Sequence, residues 1–133
     1  MNFQVKKHSK EEFYPEFCRL LDLHHFPRIN DKVLPELAFA VYNEDDIILY
    51  SFWLFRTDSL LAWLAFPVSN NAIPYKKREG AFEFLLEQIS NYAKKKGILT
   101  LFTTSNTEGV IQPLLKNGFD LGDTNVSHYI KKL

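Results

Sequence analysis

Between Leu60 and Phe119 the hydrophobic pattern changes period twice, and that order restricts what this chain can fold into. LLAWLAFPVS (60–69) is an apolar run of strand character, and NNAIPYKKRE (70–79) is polar and basic. From Gly80 onward Phe82, Leu85, Leu86, Ile89, Tyr92 and Ala93 recur at helical spacing, and ILTLFTTS (98–105) returns to strand composition. A basic, glycine-marked turn between a strand and a helix makes an anion site. The unpaired N–H groups of the first helical turn and the helix dipole point at the same ligand. The competing reading is a solvated basic loop that only caps a helix.

The remaining elements follow from local signals. Phe3 to Lys7 alternates as a strand, and Ser9 with Glu12 forms the pattern of a capping box. Phe13, Phe17, Leu20 and Leu21 continue a helix that ends near His24 and His25, before Pro27. Residues 28–35 read as a loop. LAFAVYN (37–43) and DIILYSFWLFR (46–56) are strands joined at Asn43, Glu44 and Asp45, and Thr57, Asp58 and Ser59 lead into the strand at 60–69. These three strands are expected to form an antiparallel meander. Lys94, Lys95 and Lys96 suit a helix C-terminus and Gly97 its C′ position. Ile98 to Thr104 reads as a buried strand, residues 107–116 as a short helix, and Phe119 onward as one or two closing strands. The expected fold is α/β (α+β), with a mixed, mostly antiparallel central sheet of about six or seven strands flanked by three or four helices. No repeat or linker divides the chain, so residues 1–133 read as a single domain.

Composition excludes several classes. With 16 basic and 16 acidic residues the chain has no field to attract nucleic acid or an anionic membrane. Cys18 is the only cysteine, so an internal disulfide and a cysteine-based metal cluster are out. The four histidines show no metal-ligand spacing, and no serine lies in a G-x-S-x-G elbow. MNFQVKKHSKEEF lacks the apolar core of a leader peptide, and no run is long enough to span a bilayer, so an intracellular, cytoplasmic protein is expected. Trp53, Trp63 and Phe55 line either a shallow aromatic pocket or the core. The aromatic content of strands 46–66 leaves monomer or homodimer open.

The element order, together with Lys77-Arg78-Glu79-Gly80-Ala81-Phe82, the paired Leu85 and Leu86, Asn106 and Gly118-Phe119, resembles the GNAT N-acetyltransferase superfamily. The topology covers nearly the whole chain, and the motifs cover about residues 60–119. The resemblance implies acetyl-CoA as co-substrate, with no metal, and direct transfer of acetyl to a primary amine on an unidentified small molecule, peptide or protein. It implies that the backbone of Lys77, Arg78, Glu79, Gly80, Ala81 and Phe82 holds the pyrophosphate. It also implies that a break in the strand ladder around Phe66, Val68 and Ser69 admits the pantetheine arm, and that Asn106 orients cofactor or amine. Pro67, which cannot donate to a ladder, marks either that break or an ordinary edge strand.

The chain also departs from the family pattern. Only Gly80 matches the loop motif strictly: Lys77 replaces Arg or Gln, and Phe82 stands where a small residue belongs. Phe82 leaves room for phosphates only if its ring turns into the core. Leu114 occupies the place of the tyrosine that protonates the leaving thiolate, and Pro113 beside it is expected to shorten or kink its helix. The strand at 60–69 holds no acid to serve as general base. Glu36, Tyr75, His24 and His25 are the substitutes, each with a plainer reading as strand-edge charge, loop packing or helix-end surface. These departures keep a second class in view, a non-catalytic module of the same fold that binds acyl-CoA, a protein partner, or both.

Overall fold

Strands β2 (Leu37–Tyr42), β3 (Ile48–Arg56) and β4 (Leu61–Ser69) pair as the expected antiparallel meander in the computed structural model, which describes residues 2–105 and 107–133. Strand β1 (Gln4–Ser9) joins β2 antiparallel, and β5 (Thr100–Thr103) joins β4 in parallel, giving the order β1-β2-β3-β4-β5. Helix α1 (Lys10–Leu23) covers one face. Helices α3 (Ala81–Lys95) and α4 (Glu108–Lys116) cover the other. A four-residue helix, α2 (Tyr75–Arg78), precedes α3, and a 3-10 turn (Asp31–Val33) interrupts the loop after α1.

Both faces of the central strands are buried, which explains why they read as continuous apolar runs. Toward α3, Phe39, Phe52, Leu54 and Leu64 meet Phe82, Leu85, Leu86 and Ile89. Toward α1, Trp53 packs edge-on against Phe13 and Phe17 at centroid distances of 5.8 and 5.2 Å, above the small residues Ala38 and Ala40. Trp53 is therefore core. Cys18 is buried on α1.

Three sequence expectations are corrected here. Among the described residues the sheet has five strands, because residues 119–133 form no regular structure. Strand β5 is consequently an edge rather than a buried strand, with Phe102 half exposed. Pro113 neither shortens nor breaks α4: the helix runs through it, at the loss of one backbone bond.

Helix ends follow local chemistry. The Ser9 hydroxyl accepts the Glu12 N–H at 3.2 Å, but only half the capping box forms, because the Glu12 carboxylate is drawn to His8 Nδ1. Helices α1, α3 and α4 each end in a Schellman turn, with Phe26, Ile98 and Phe119 N–H donating to Leu21, Ala93 and Leu114. Gly97 and Gly118 occupy the left-handed position in two of them, while in α1 it falls to His25 at φ 58°. A side chain held there is strained by about 1–3 kcal/mol. His25→Gly is therefore expected to raise stability by ~0.5–1 kcal/mol after the entropic cost of glycine. A urea midpoint that stays put or falls would show that the His25 side chain makes a compensating contact.

A polar cluster ties β1 to α1 and β2. With its Nδ1 proton directed at Glu12, His8 accepts the Tyr42 hydroxyl at Nε2 (2.8 Å), and Lys6 bridges to Asp46 at 2.6 Å while lying over the Tyr42 ring. Burial first, then the nearby Glu16, Asp46 and Glu12 carboxylates, push the Tyr42 hydroxyl from 10.0 up to about 12. The unfolded chain then releases this proton first, so the stabilisation is complete below pH ~10 and is lost as pH rises through ~12. Urea unfolding across that window should show a shallower decline for Tyr42→Phe than for the parent chain. Equal slopes would mean that Tyr42 titrates normally.

Candidate functional site

The ladder between β4 and β5 stops early. Pairing runs from Leu61–Thr100 to Leu64–Thr103, where the Thr103 hydroxyl donates to the Leu64 carbonyl at 2.8 Å in place of a backbone partner. Beyond it, Ala65 to Ser69 have β3 on one side and no strand on the other. At the same point β4 bulges. Ser51 pairs with Val68 and Trp53 with Ala65, so Phe66 and Pro67 together oppose Phe52. Phe66 sits at φ 54°, an outlier for a bulky side chain, and Pro67 has no N–H to leave unpaired. A wedge therefore opens along one side of β4, and Pro67 is explained by a bulge.

Within that wedge the backbone is unevenly available. Asn70 N–H donates to the Leu49 carbonyl on β3, so strand alternation turns Val68 toward β3 as well and directs Ser69 to the open side. The Val68 side chain is buried on the α1 face. Pro67, without an N–H, offers the open side only a carbonyl. His24, at the end of α1, donates from Nε2 to the Ser69 carbonyl at 2.8 Å and lies 3.2 Å from its hydroxyl. Its Nδ1 faces the Asn71 amide at 3.5 Å, and its ring stacks on Phe26 at 4.9 Å.

The loop from β4 to α3 ends at Gly80, whose φ of 84° turns the chain into the first turn of α3. Glycine is needed there for its backbone angle, since an added Cβ would make only an ordinary contact, 3.6 Å from Phe3. Phe84 N–H donates to the Gly80 carbonyl, and no side chain caps the helix, leaving the N–H groups of Ala81, Phe82 and Glu83 without an intrahelical partner. The Phe82 ring turns inward, 5.3 Å from Tyr50 and 5.4 Å from Phe52, so it does not cover this end. Lys77 and Glu79 are exposed beside it. Arg78 is held: Nε donates to the Ile73 carbonyl and Nη1 to the Tyr50 hydroxyl, both at 2.9 Å, with the Tyr50 and Tyr75 rings on either side. Burial raises the Tyr50 pKa, and the Arg78 guanidinium partly opposes that shift. The tether shapes the loop, and sequence spacing gave no signal for it.

Other expected site residues fall elsewhere. Glu36 is exposed at the entrance to β2, ion-paired with Lys10 at 3.4 Å, and β3 separates it from β4. Tyr75 is an exposed ring over Arg78. Asn106 lies outside the described residues. Leu114 is buried against α3 and Phe119, so the tyrosine's position is given to packing. The Phe55, Trp63 and Phe66 rings gather on the α1 face of the wedge, with centroids 5.0 to 6.3 Å apart, and the Trp63 indole N–H has no partner among the described residues. A cavity of about 430 Å³ lies away from the wedge, between β1 and α3, lined by Lys7, Tyr92, Lys95 and Lys96. Among the described residues no cluster of His, Cys, Asp or Glu could hold a metal, and no helix is long and apolar enough to cross a membrane.

No protein-family model matches the chain, and no curated protein matches it. Solved structures do. An aminoglycoside acetyltransferase from an uncultured soil metagenomic sample, in complex with sisomicin, aligns over 98% of this chain and 96% of that one, with TM-score 0.68 and 14% identity. The aminoglycoside N-acetyltransferase AAC(6')-Iy in complex with CoA aligns over 98% and 100%, with TM-score 0.67 and 13% identity. An acetyltransferase of Trypanosoma brucei aligns over 97% and 100%, with TM-score 0.63 and 11% identity. Identity this low speaks for the backbone and not for the substrate. These whole-chain alignments show that the chain has a GNAT-like acetyltransferase fold.

Proposed function

We propose that this chain binds acetyl-CoA in the wedge between β4 and β5 and transfers the acetyl group directly to a primary amine. The observation that carries the reading is the coincidence of two openings at one end of the sheet. Beyond Leu64, β4 has lost its neighbour, and α3 begins at Gly80 with free N–H groups. The pyrophosphate sits on the N–H groups of Ala81, Phe82 and Glu83, with Lys77 adding charge from solvent. The pantetheine amides take the place of the missing strand, bonding to Phe66 and Ser69. The solved structures that align with this chain include one in complex with CoA and one in complex with sisomicin, which supports the same pairing of ligands.

In the transfer step the amine nitrogen attacks the thioester carbonyl, the C–S bond breaks and CoA leaves as thiol. A backbone N–H at the bulge polarises the carbonyl oxygen in this reading. An alkylamine, with pKa ~10.4, must first lose a proton. His24 is the candidate acceptor through Nδ1, since Nε2 is committed to Ser69. With no acid on β4 and Leu114 in the tyrosine's place, positioning supplies most of the rate, up to ~7–11 kcal/mol in favourable systems.

The same two absences favour one other reading, a module that binds acyl-CoA or a protein partner without turnover. Calorimetric titration with acetyl-CoA, against free CoA and ATP, should give micromolar binding selective for the CoA ligands. No binding would end the cofactor assignment. Turnover across a broad amine panel then separates enzyme from module, and tight binding with no product would decide for the module.

Gly80→Val forces a β-branched residue to positive φ and redirects the first turn of α3. Acetyl-CoA affinity should fall at least tenfold while far-UV circular dichroism is retained, with Gly80→Ala giving a smaller loss. Unchanged affinity in both variants would remove the pyrophosphate from this helix end.

A further inference from the structure

Helix α3 lies over β2 and β3, short of the edge strand β1, and the gap between them is the cavity of about 430 Å³. That volume suits a small molecule. The floor is apolar: Phe39 is buried there, beside Val5. The rim is basic and polar. Strand alternation sets Lys7 on the same face of β1 as Val5, and the helical period sets Gln88, Asn91, Tyr92 and Lys95 along one side of α3, with Lys96 next to them.

This rim differs from a solvated helix end in two ways. Lys6 and Lys10, to either side of Lys7 on the chain, are ion-paired with Asp46 and Glu36. Lys7, Lys95 and Lys96 have no acidic partner among the described residues, and no acid lines the cavity. The Lys7 and Lys96 ammonium groups also lie over the same Tyr92 ring, 5.1 and 5.6 Å from its centroid. A helix dipole accounts for Lys95 and Lys96, but not for a lysine of β1 brought to the same ring. Like charges gathered in this way repel one another, and an anion between them replaces repulsion with attraction.

We infer that this cavity is a binding site for a small phosphate monoester, held by Lys7, Lys95 and Lys96. Such a group brings ~2 negative charges and three acceptor oxygens, which the ammonium groups and the side-chain amides of Gln88 and Asn91 can satisfy. Its organic part covers Val5 and Phe39. The inference is independent of the acyl-transfer reading, because the cavity lies on β1 and the C-terminal half of α3, away from the wedge.

The test is calorimetric titration of the full chain with phenyl phosphate, inorganic phosphate and benzoate. Phenyl phosphate should bind with a Kd below ~1 mM. It should bind more tightly than benzoate, which has one charge, and than inorganic phosphate, which has no apolar part. Lys7→Glu should weaken it roughly tenfold or more, and so should Lys95→Glu with Lys96→Glu. Lys94→Glu changes the net charge as much as Lys7→Glu does but lies outside the cavity, so affinity should stay within about twofold. All four lysines are exposed, so circular dichroism stays unchanged. No binding of phenyl phosphate at millimolar concentration, binding no tighter than that of benzoate or inorganic phosphate, or equal losses in Lys7→Glu and Lys94→Glu overturns the inference. Affinity indifferent to Lys7→Glu and to the double variant would place the phosphate elsewhere, and overturns it too.

Discussion

The parting of β4 from β5 at Leu64 and Thr103 is the constraint on which the rest of the site depends. A strand inside a sheet has its polar groups claimed on both sides, and a ligand can compete for them only where the ladder ends. Two local features end it here. The Thr103 hydroxyl takes the last carbonyl, and the bulge at Phe66 and Pro67 bends β4 before another pair can form. Pro67 belongs to the same device, because at the bulge its missing N–H costs nothing.

Around the wedge, side chains that might have served chemistry are committed to architecture. Arg78 braces the loop through Ile73 and Tyr50, and Leu114 fills the core beneath α4. The site that remains is built mainly from backbone: the first turn of α3 and the open side of β4. Such a site can hold an extended, anionic cofactor without demanding particular side chains. That is consistent with whole-chain structural likeness at 11–14% identity.

Much of the fold was legible in the sequence. The five strands and three longer helices through α4, the N-cap at Ser9 and the glycine turns at Gly80 and Gly97 could be read from short-range signals, while the short helix α2 and the 3-10 turn at Asp31–Val33 fell in stretches that read as loops. Phe82 lies on the apolar stripe of α3, so its inward packing also followed from periodicity. The site was legible in outline, as a strand, a glycine turn and a helix, but not in its contacts. The direction of Val68 depends on where the bulge falls, and the salt bridge of Glu36 to Lys10 spans different elements, so neither could be read from local spacing. Residues 119–133 read as closing strands, yet no strand of the same chain pairs with them.

The sequence by itself determined helices, strands, caps and the order in which they occur, because each depends on the backbone preferences and hydrophobic period of a few neighbouring residues. Only the tertiary structure decided where the ladder breaks, which backbone groups face the wedge and which charged side chains are already spent. Those outcomes depend on residues dozens of positions apart, such as Thr103 on Leu64 or His24 on Ser69, meeting across the sheet. No local pattern encodes a partner that folding alone brings within hydrogen-bonding distance.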